Sequence, residues 1–307
     1  MKARQRSGVT PRTRLVLVLA LGMTVLPAPA MADAGATPSP RPSAMLVGPC
    51  AQASLASVTN RPGLGRAITI NGSPCVVPIG AVVLEASYRN QITKSDGTSR
   101  LSTYPNPVVR YGAAGRNEIV LSPSLIYSRR TGAALGGTFI PATGVQDAGF
   151  GFKHSLRDRP WTQDALELFV TLPTGYPTGS FGFSAGAPTY LLGYSASFGL
   201  STRVGLTTTH NFSSSAGTNG SGAMQRYFSY QPSLGLSYAL SSTTTLLLQD
   251  QLTIPTAPGG STGNRALAAI QQTVGSHVVL DVEFEQNLLP TPGFNQHALG
   301  TGFTLRL

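Results

Sequence analysis

His297–Leu307 reads HALGTGFTLRL, and its alternation decides the fold. One face carries His297, Leu299, Thr301, Phe303, Leu305 and Leu307, and the other carries Ala298, Gly300, Gly302, Thr304 and Arg306. A side-chain period of two is the mark of a β-strand. The large apolar face needs lipid or a core, whereas the face of glycines, a threonine and an arginine needs water. The last strand of a soluble sandwich would meet the same two demands. What precedes the stretch separates lipid from core.

Working back from it, eleven more segments alternate in the same way. The first is Val82–Gln91, with Val82, Leu84, Ala86 and Tyr88 facing one way and Glu85, Ser87, Arg89 and Gln91 the other. Arg100–Tyr111, Glu118–Arg129 and Val145–Leu156 follow. The fourth of these strands places Phe150, Phe152 and His154 on one face and Gly149, Gly151 and Lys153 on the other, and turns at Arg157–Trp161. Leu166–Leu172, Tyr190–Phe198, Val204–Phe212, Arg226–Leu240, Thr244–Ile254, Arg265–Val274 and His277–Gln286 lead to the twelfth, Gln296–Leu307. Asp96-Gly97 is a hairpin signal after the first.

The links alternate too. Arg130–Gly144, Pro173–Pro188, Ser213–Met224, Pro255–Asn264 and Asn287–Asn295 are long and rich in Gly, Pro and Ser, while Ser201-Thr202, Ser241–Thr243 and Gly275-Ser276 are short. Long loops at one end, short turns at the other and an even strand count describe an outer-membrane barrel, not a sandwich. Aromatic residues sort by strand end as well. Tyr88, Tyr127, Phe150, Tyr190, Phe212, Phe228 and Tyr230 lie toward the long loops, and Tyr111, Trp161, Phe198 and Tyr238 toward the short turns, as two interfacial girdles would. The reading is therefore all-β: an antiparallel up-and-down transmembrane barrel of about 12 strands over residues 81–307.

The leader agrees with export. Lys2, Arg4, Arg6, Arg12 and Arg14 precede the apolar run Leu15–Leu26, and Ala30-Met31-Ala32 suits signal peptidase, so residues 1–32 read as a signal peptide cleaved before Asp33. The chain has 22 Lys/Arg against 12 Asp/Glu, and removing the five leader cations leaves 17. Half of the net charge of +10 thus belongs to the leader. With no basic face left, nucleic acid is excluded as a partner. Only 11% of residues are charged, yet no later run has the ~18 apolar residues of a membrane helix, which leaves the barrel as the membrane solution. Residues 33–80 form a Pro/Ala/Ser-rich periplasmic linker followed by a segment holding Cys50 and Cys75, the two cysteines of the chain, which an oxidising compartment pairs as one disulfide. Such a segment can plug the lumen or merely anchor at its mouth.

With the apolar face outward, the lumen receives Glu85, Arg89, Arg110, Glu118, Lys153, Glu167, Arg203, Gln249, Gln251, Gln271, Asp281, Glu283, Glu285 and Arg306. Asp281, Glu283 and Glu285 make a three-carboxylate ladder that demands water, metal or basic partners. Closure of the sheet brings Arg306 beside Glu85 and Arg89. The mixed charges either fill and stiffen a narrow barrel or line a solute path.

An enzyme is not expected. A barrel lipid hydrolase needs a serine and histidine on one face, and adjacent His154-Ser155 point to opposite sides. No Cys/His spacing suits a metal, and no cofactor is implied.

Asn60-Arg61-Pro62-Gly63, Ser73–Pro78 with Gly80 and Glu85, Val145–Lys153 and Leu172-Pro173-Thr174-Gly175 resemble the outer-membrane transporters grouped under the meta-pathway of phenol degradation. The resemblance implies a barrel that passes small aromatic or hydrophobic compounds, with no catalytic residues. The chain ends in Leu307 where barrels commonly end in an aromatic, so recognition by the barrel-assembly machinery falls to His297–Leu307 with Phe303 and Leu305. The expected function is a passive outer-membrane channel for small solutes in contact with outer-membrane lipid. The alternative is a closed barrel serving as a structural or adhesion scaffold through loops such as Ser213–Met224, and a lipid-acting barrel enzyme ranks below both.

Overall fold

The structure is a computed structural model, and it describes residues 73–94, 98–124, 127–132, 142–176, 183–184, 186–218, 224–256, 262–288 and 295–307. The leader, the linker, Cys50 and the first family motif at Asn60 lie outside the described residues.

The strands are β1 (Val82–Lys94), β2 (Thr98–Tyr104), β3 (Val108–Ala113), β4 (Asn117–Ser122), β5 (Tyr127–Gly132), β6 (Ala142–Val145), β7 (Ala148–Arg159), β8 (Thr162–Leu172), β9 (Thr189–Gly199), β10 (Val204–Thr218), β11 (Met224–Ala239), β12 (Thr244–Pro255), β13 (Gly263–Val274), β14 (Val278–Asn287) and β15 (Asn295–Arg306). Each pairs antiparallel with its neighbours, and β15 pairs with β1 to close the sheet. Both β2 and β3 pair with β1, both halves of the next stave continue that division, and so do β6 and β7. The 15 segments therefore make twelve staves, as the alternation predicts.

The second, third and fourth staves are not continuous, as the sequence reading had them. Pro105 and Pro107 interrupt the second, Pro123 the third and Gln146-Asp147 the fourth. Proline has no N–H to give a ladder. At the fourth break a side chain substitutes for the strand: Asp147 Oδ1 accepts from the Gly175 amide at 2.8 Å, and Thr174 Oγ1 accepts from the Ala148 amide at 2.8 Å.

Two further boundaries move. β7 runs past the expected Arg157–Trp161 turn to Arg159, with a register shift at Ser155/Arg157, and β8 begins at Thr162 instead of Leu166. The loop read as Ser213–Met224 is largely strand, because β10 extends to Thr218 and β11 starts at Met224. Hydroxyl pairs such as Ser213–Ser229, at 2.7 Å, link the two strands on the inner side of this extension.

Outward positions carry exposed apolar side chains: Leu121, Phe152, Leu168, Leu192, Leu234, Leu248, Ile270, Val282, Leu299 and Phe303 are each more than a third exposed. Surface of this kind is stable against hydrocarbon, where each such side chain contributes about 1.5–3 kcal/mol relative to water. Tyr88, Tyr104 and Tyr127 contact one another in sequence with tilted rings, at 6.1 and 5.1 Å between ring centroids, on the same outer face. Polar residues occupy most of the inward positions, interrupted by small apolar clusters such as Leu247, Leu267 and Ala269. This is the architecture of an outer-membrane barrel, with Val82 and Leu307 at the end that carries the short turns.

Candidate functional site: the barrel lumen

Half of the lumen wall is charged. Strand alternation turns Glu85, Arg110, Glu118, Lys153 and Glu167 inward, and all five are buried. Register sets their contacts, since Glu118 stands opposite Lys153, and Lys153 opposite Glu167. Arg110 donates through Nε to Glu118 Oε1 at 2.6 Å and through Nη2 to Oε2 at 2.9 Å, a two-point pair, and its Nη1 reaches Glu85 Oε1 at 3.1 Å. Lys153 Nζ lies 3.3 Å from Glu167 Oε1.

Residues 73–81 lie against this arc inside the lumen. Lys153 Nζ donates to the Ser73 carbonyl, the Val77 amide donates to Glu118 Oε2 at 2.8 Å, and the Cys75 sulfur lies 3.6 Å from Gln163 Oε1. Cys75 and Val77 also pack on Val83 and Val279, so the segment spans from β14 and β1 toward β7 and β8. It is fastened at its far end by two backbone bonds, in which the Gly80 amide donates to the Gly112 carbonyl at 2.8 Å and the Gly112 amide donates to the Ala81 carbonyl at 3.0 Å. Gly112 is required there, because a Cβ would overlap the carbonyl of Pro78.

The carboxylate ladder meets basic partners on its loop-side end. Asp281, Glu283 and Glu285 stand opposite Gly302, Gly300 and Ala298, so β15 presents almost no side chain and the acids lie over it. A Cβ at Gly300 would overlap the Glu283 carboxylate. Glu285 bridges two arginines, with Oε2 2.9 Å from Arg89 Nη2 and Oε1 3.0 Å from Arg265 Nη1. Arg265 is the lumen cation the sequence reading missed. Its inward parity on the tenth alternating segment was the available signal.

The remaining wall is neutral. Ser195, Ser197, Thr207, Thr209, Ser233 and Gln249 face inward, linked by Thr209–Ser233 at 2.6 Å, Gln249 Nε2 to Ser233 Oγ at 2.8 Å and Ser197–Thr207 at 2.9 Å. A small apolar patch of Val108, Val120, Phe169 and Leu191 lies beside them.

One expected lumen residue lies off the wall, and another keeps only one of its two expected neighbours. Arg203 is exposed in the turn before β10, so it is off the wall. Arg306 has inward parity but pairs with Val83, with Glu85 one step along; Arg89 pairs with Gly300, three inward positions away, and turns to Glu285 instead. The remaining expected side chains point inward as read. His154 is half-buried on the outer face with Nδ1 2.7 Å from Asn117 Oδ1, while Ser155 is buried on the inner face. Among the described residues, no group of three or more His, Cys, Asp and Glu could hold a metal ion.

No protein-family model matches the sequence, and no curated protein matches it either. Solved structures do. An outer membrane channel from Pseudomonas putida F1 superposes with a TM-score of 0.63 at 14% identity, covering 76% of this chain and 97% of that one. The translocator domain of the autotransporter NalP from Neisseria meningitidis gives 0.49 at 13%, covering 73% and 88%, and the NanC porin gives 0.48 at 10%, covering 72% and 100%. At these identities the likeness is one of fold.

Proposed function

We propose that the protein is a passive outer-membrane channel for small solutes, gated by the lumenal segment 73–81. The observation that carries the reading is the division of the wall. A closed sheet turns an apolar belt to lipid, yet its inner face is mostly polar, and the segment that lies against its charged arc is held by a short set of hydrogen bonds to Glu118, Lys153 and Gly112. A barrel serving only as a scaffold needs no such detachable filling.

In this reading residues 1–32 are the signal peptide, 33–80 carry the linker and plug, and 81–307 form the channel. A Cys50–Cys75 bridge closes a loop that limits how far the plug can travel. The neutral hydroxyl and amide wall, the patch around Phe169, and the resemblance to the phenol meta-pathway transporters support small aromatic or hydrophobic cargo. His297–Leu307 is the segment offered to the barrel-assembly machinery.

Planar-bilayer recording of the refolded protein, with and without reductant, tests the reading together with solute uptake by a deletion strain. Conductance that rises on reduction and uptake that falls on deletion are expected. Absence of both conductance and an uptake defect would exclude a channel.

A further inference from the structure

Asp250 faces lipid. It lies in the middle of β12 on the outer side, exposed, between Leu234 of β11 and Ala266 of β13. None of the ion pairs among the described residues includes it. A carboxylate held against hydrocarbon far from either rim is costly, and charged side chains at membrane depth normally face a partner.

The same outer face offers one. His210 on β10 is half-buried and stacks on Tyr230, with Nδ1 2.6 Å from the Tyr230 hydroxyl and Nε2 at the longer distance of 3.4 Å from Thr208 Oγ1, a contact that a carboxylate would displace. When that hydroxyl donates to Nδ1, Nε2 carries the ring proton and is a donor.

Register places the two at one height. The cross-strand row Glu118, Lys153, Glu167, Gly193, Asn211, Gln231 begins one residue from the turn end of β4 and reaches the middle of β11, so rows climb as strand number rises. Two strands on from His210, the row is about 6 Å higher; Asp250 sits two residues back down β12, about 5 Å lower, given ordinary strand spacing, rise and tilt. The two therefore lie level, roughly 12 Å apart around the wall, with Pro232 and Leu234 of β11 between them.

We propose that a second copy of this chain docks on the β10–β12 outer face about a two-fold axis along the membrane normal. The axis passes in front of β11. Each Asp250 carboxylate then meets His210 of the other copy, and the β11 side chains pack against themselves. Such an isologous contact places the same pair at both ends. Charge complementarity selects this occupant over lipid, which has no donor at that depth.

The test is subunit counting by photobleaching of singly labelled protein in lipid bilayers, with heat-modifiable gel migration to verify the barrel of each variant. Wild type is expected to bleach in two steps. Asp250→Leu, which removes a charge from the lipid face, should be monomeric, as should His210→Asp, each with at least tenfold weaker association. The double exchange Asp250→His with His210→Asp should restore the dimer. A monomeric wild type, an Asp250→Leu protein that still dimerises, or a folded double exchange that stays monomeric would each overturn the proposal. Should the exchange variant fail to fold, Asp250→Leu alone decides.

Discussion

The Lys153 ammonium lies 3.3 Å from the Glu167 carboxylate on the neighbouring strand and also donates to the Ser73 carbonyl of the lumenal segment. One cation thus serves both the wall and the plug. The arc around it holds three carboxylates, Glu85, Glu118 and Glu167, against two cations, Arg110 and Lys153.

Lys153→Met should therefore do two things at once. It leaves Glu118 and Glu167 with Arg110 as the arc's remaining cation, at a cost on the order of 3 kcal/mol, and it frees Ser73. A lower unfolding midpoint together with raised open-channel conductance is expected. A variant with wild-type midpoint and wild-type conductance would show that the contact carries neither role.

Gly112→Val separates the plug from the wall. Its side chain would occupy the place of the Pro78 carbonyl, so the segment could not seat, whereas the outward belt and closure through β15 are untouched. Gel migration should remain heat-modifiable while conductance rises. Unchanged conductance would mean that residues 73–81 do not obstruct the path.

Selectivity should follow Glu285. Glu285→Gln leaves Arg89 and Arg265 sharing a neutral amide, which adds one positive charge to the loop-side lumen. The reversal potential under a salt gradient should move toward anions, with little change in stability because both arginines retain partial exposure. A shift toward cations would contradict the assignment of this ladder to the conducting path.

The two faces should respond differently to one substitution. Leu168→Arg puts a cation on the lipid side and should cost about 2–4 kcal/mol in urea unfolding from vesicles. Thr209→Arg enters the neutral lumen wall, where water can reach the head group, and should cost less while altering conductance. Equal costs would undermine the assignment of faces.

What was legible in the sequence was whatever a period of two reports. Glu283 and Phe284 are neighbours with opposite solvents, so alternation alone assigns their faces, and the same logic placed Lys153, Glu167 and Gly300 inward and counted the staves. The closing pair, β15 with β1, followed from the even count. Breaks at Pro105, Pro107 and Pro123 were readable in principle, since each removes a ladder donor; alternation keeps its phase across Pro123, but it slips by one residue between Thr103 and Val108, both of which face inward.

Only the closed sheet decided which inward residues meet. Arg89 and Glu285 are 196 positions apart, and their 2.9 Å contact exists because β15 presents glycine and alanine between them, so that β14 reaches across to β1. The height shared by His210 and Asp250, likewise, comes from strand tilt combined with register over three strands, a quantity no local pattern holds. The sequence by itself determined which solvent each side chain faces, because that depends on a residue's parity within its own strand. Partners across the lumen depend on shear around the whole barrel, and that is set only when the last strand meets the first.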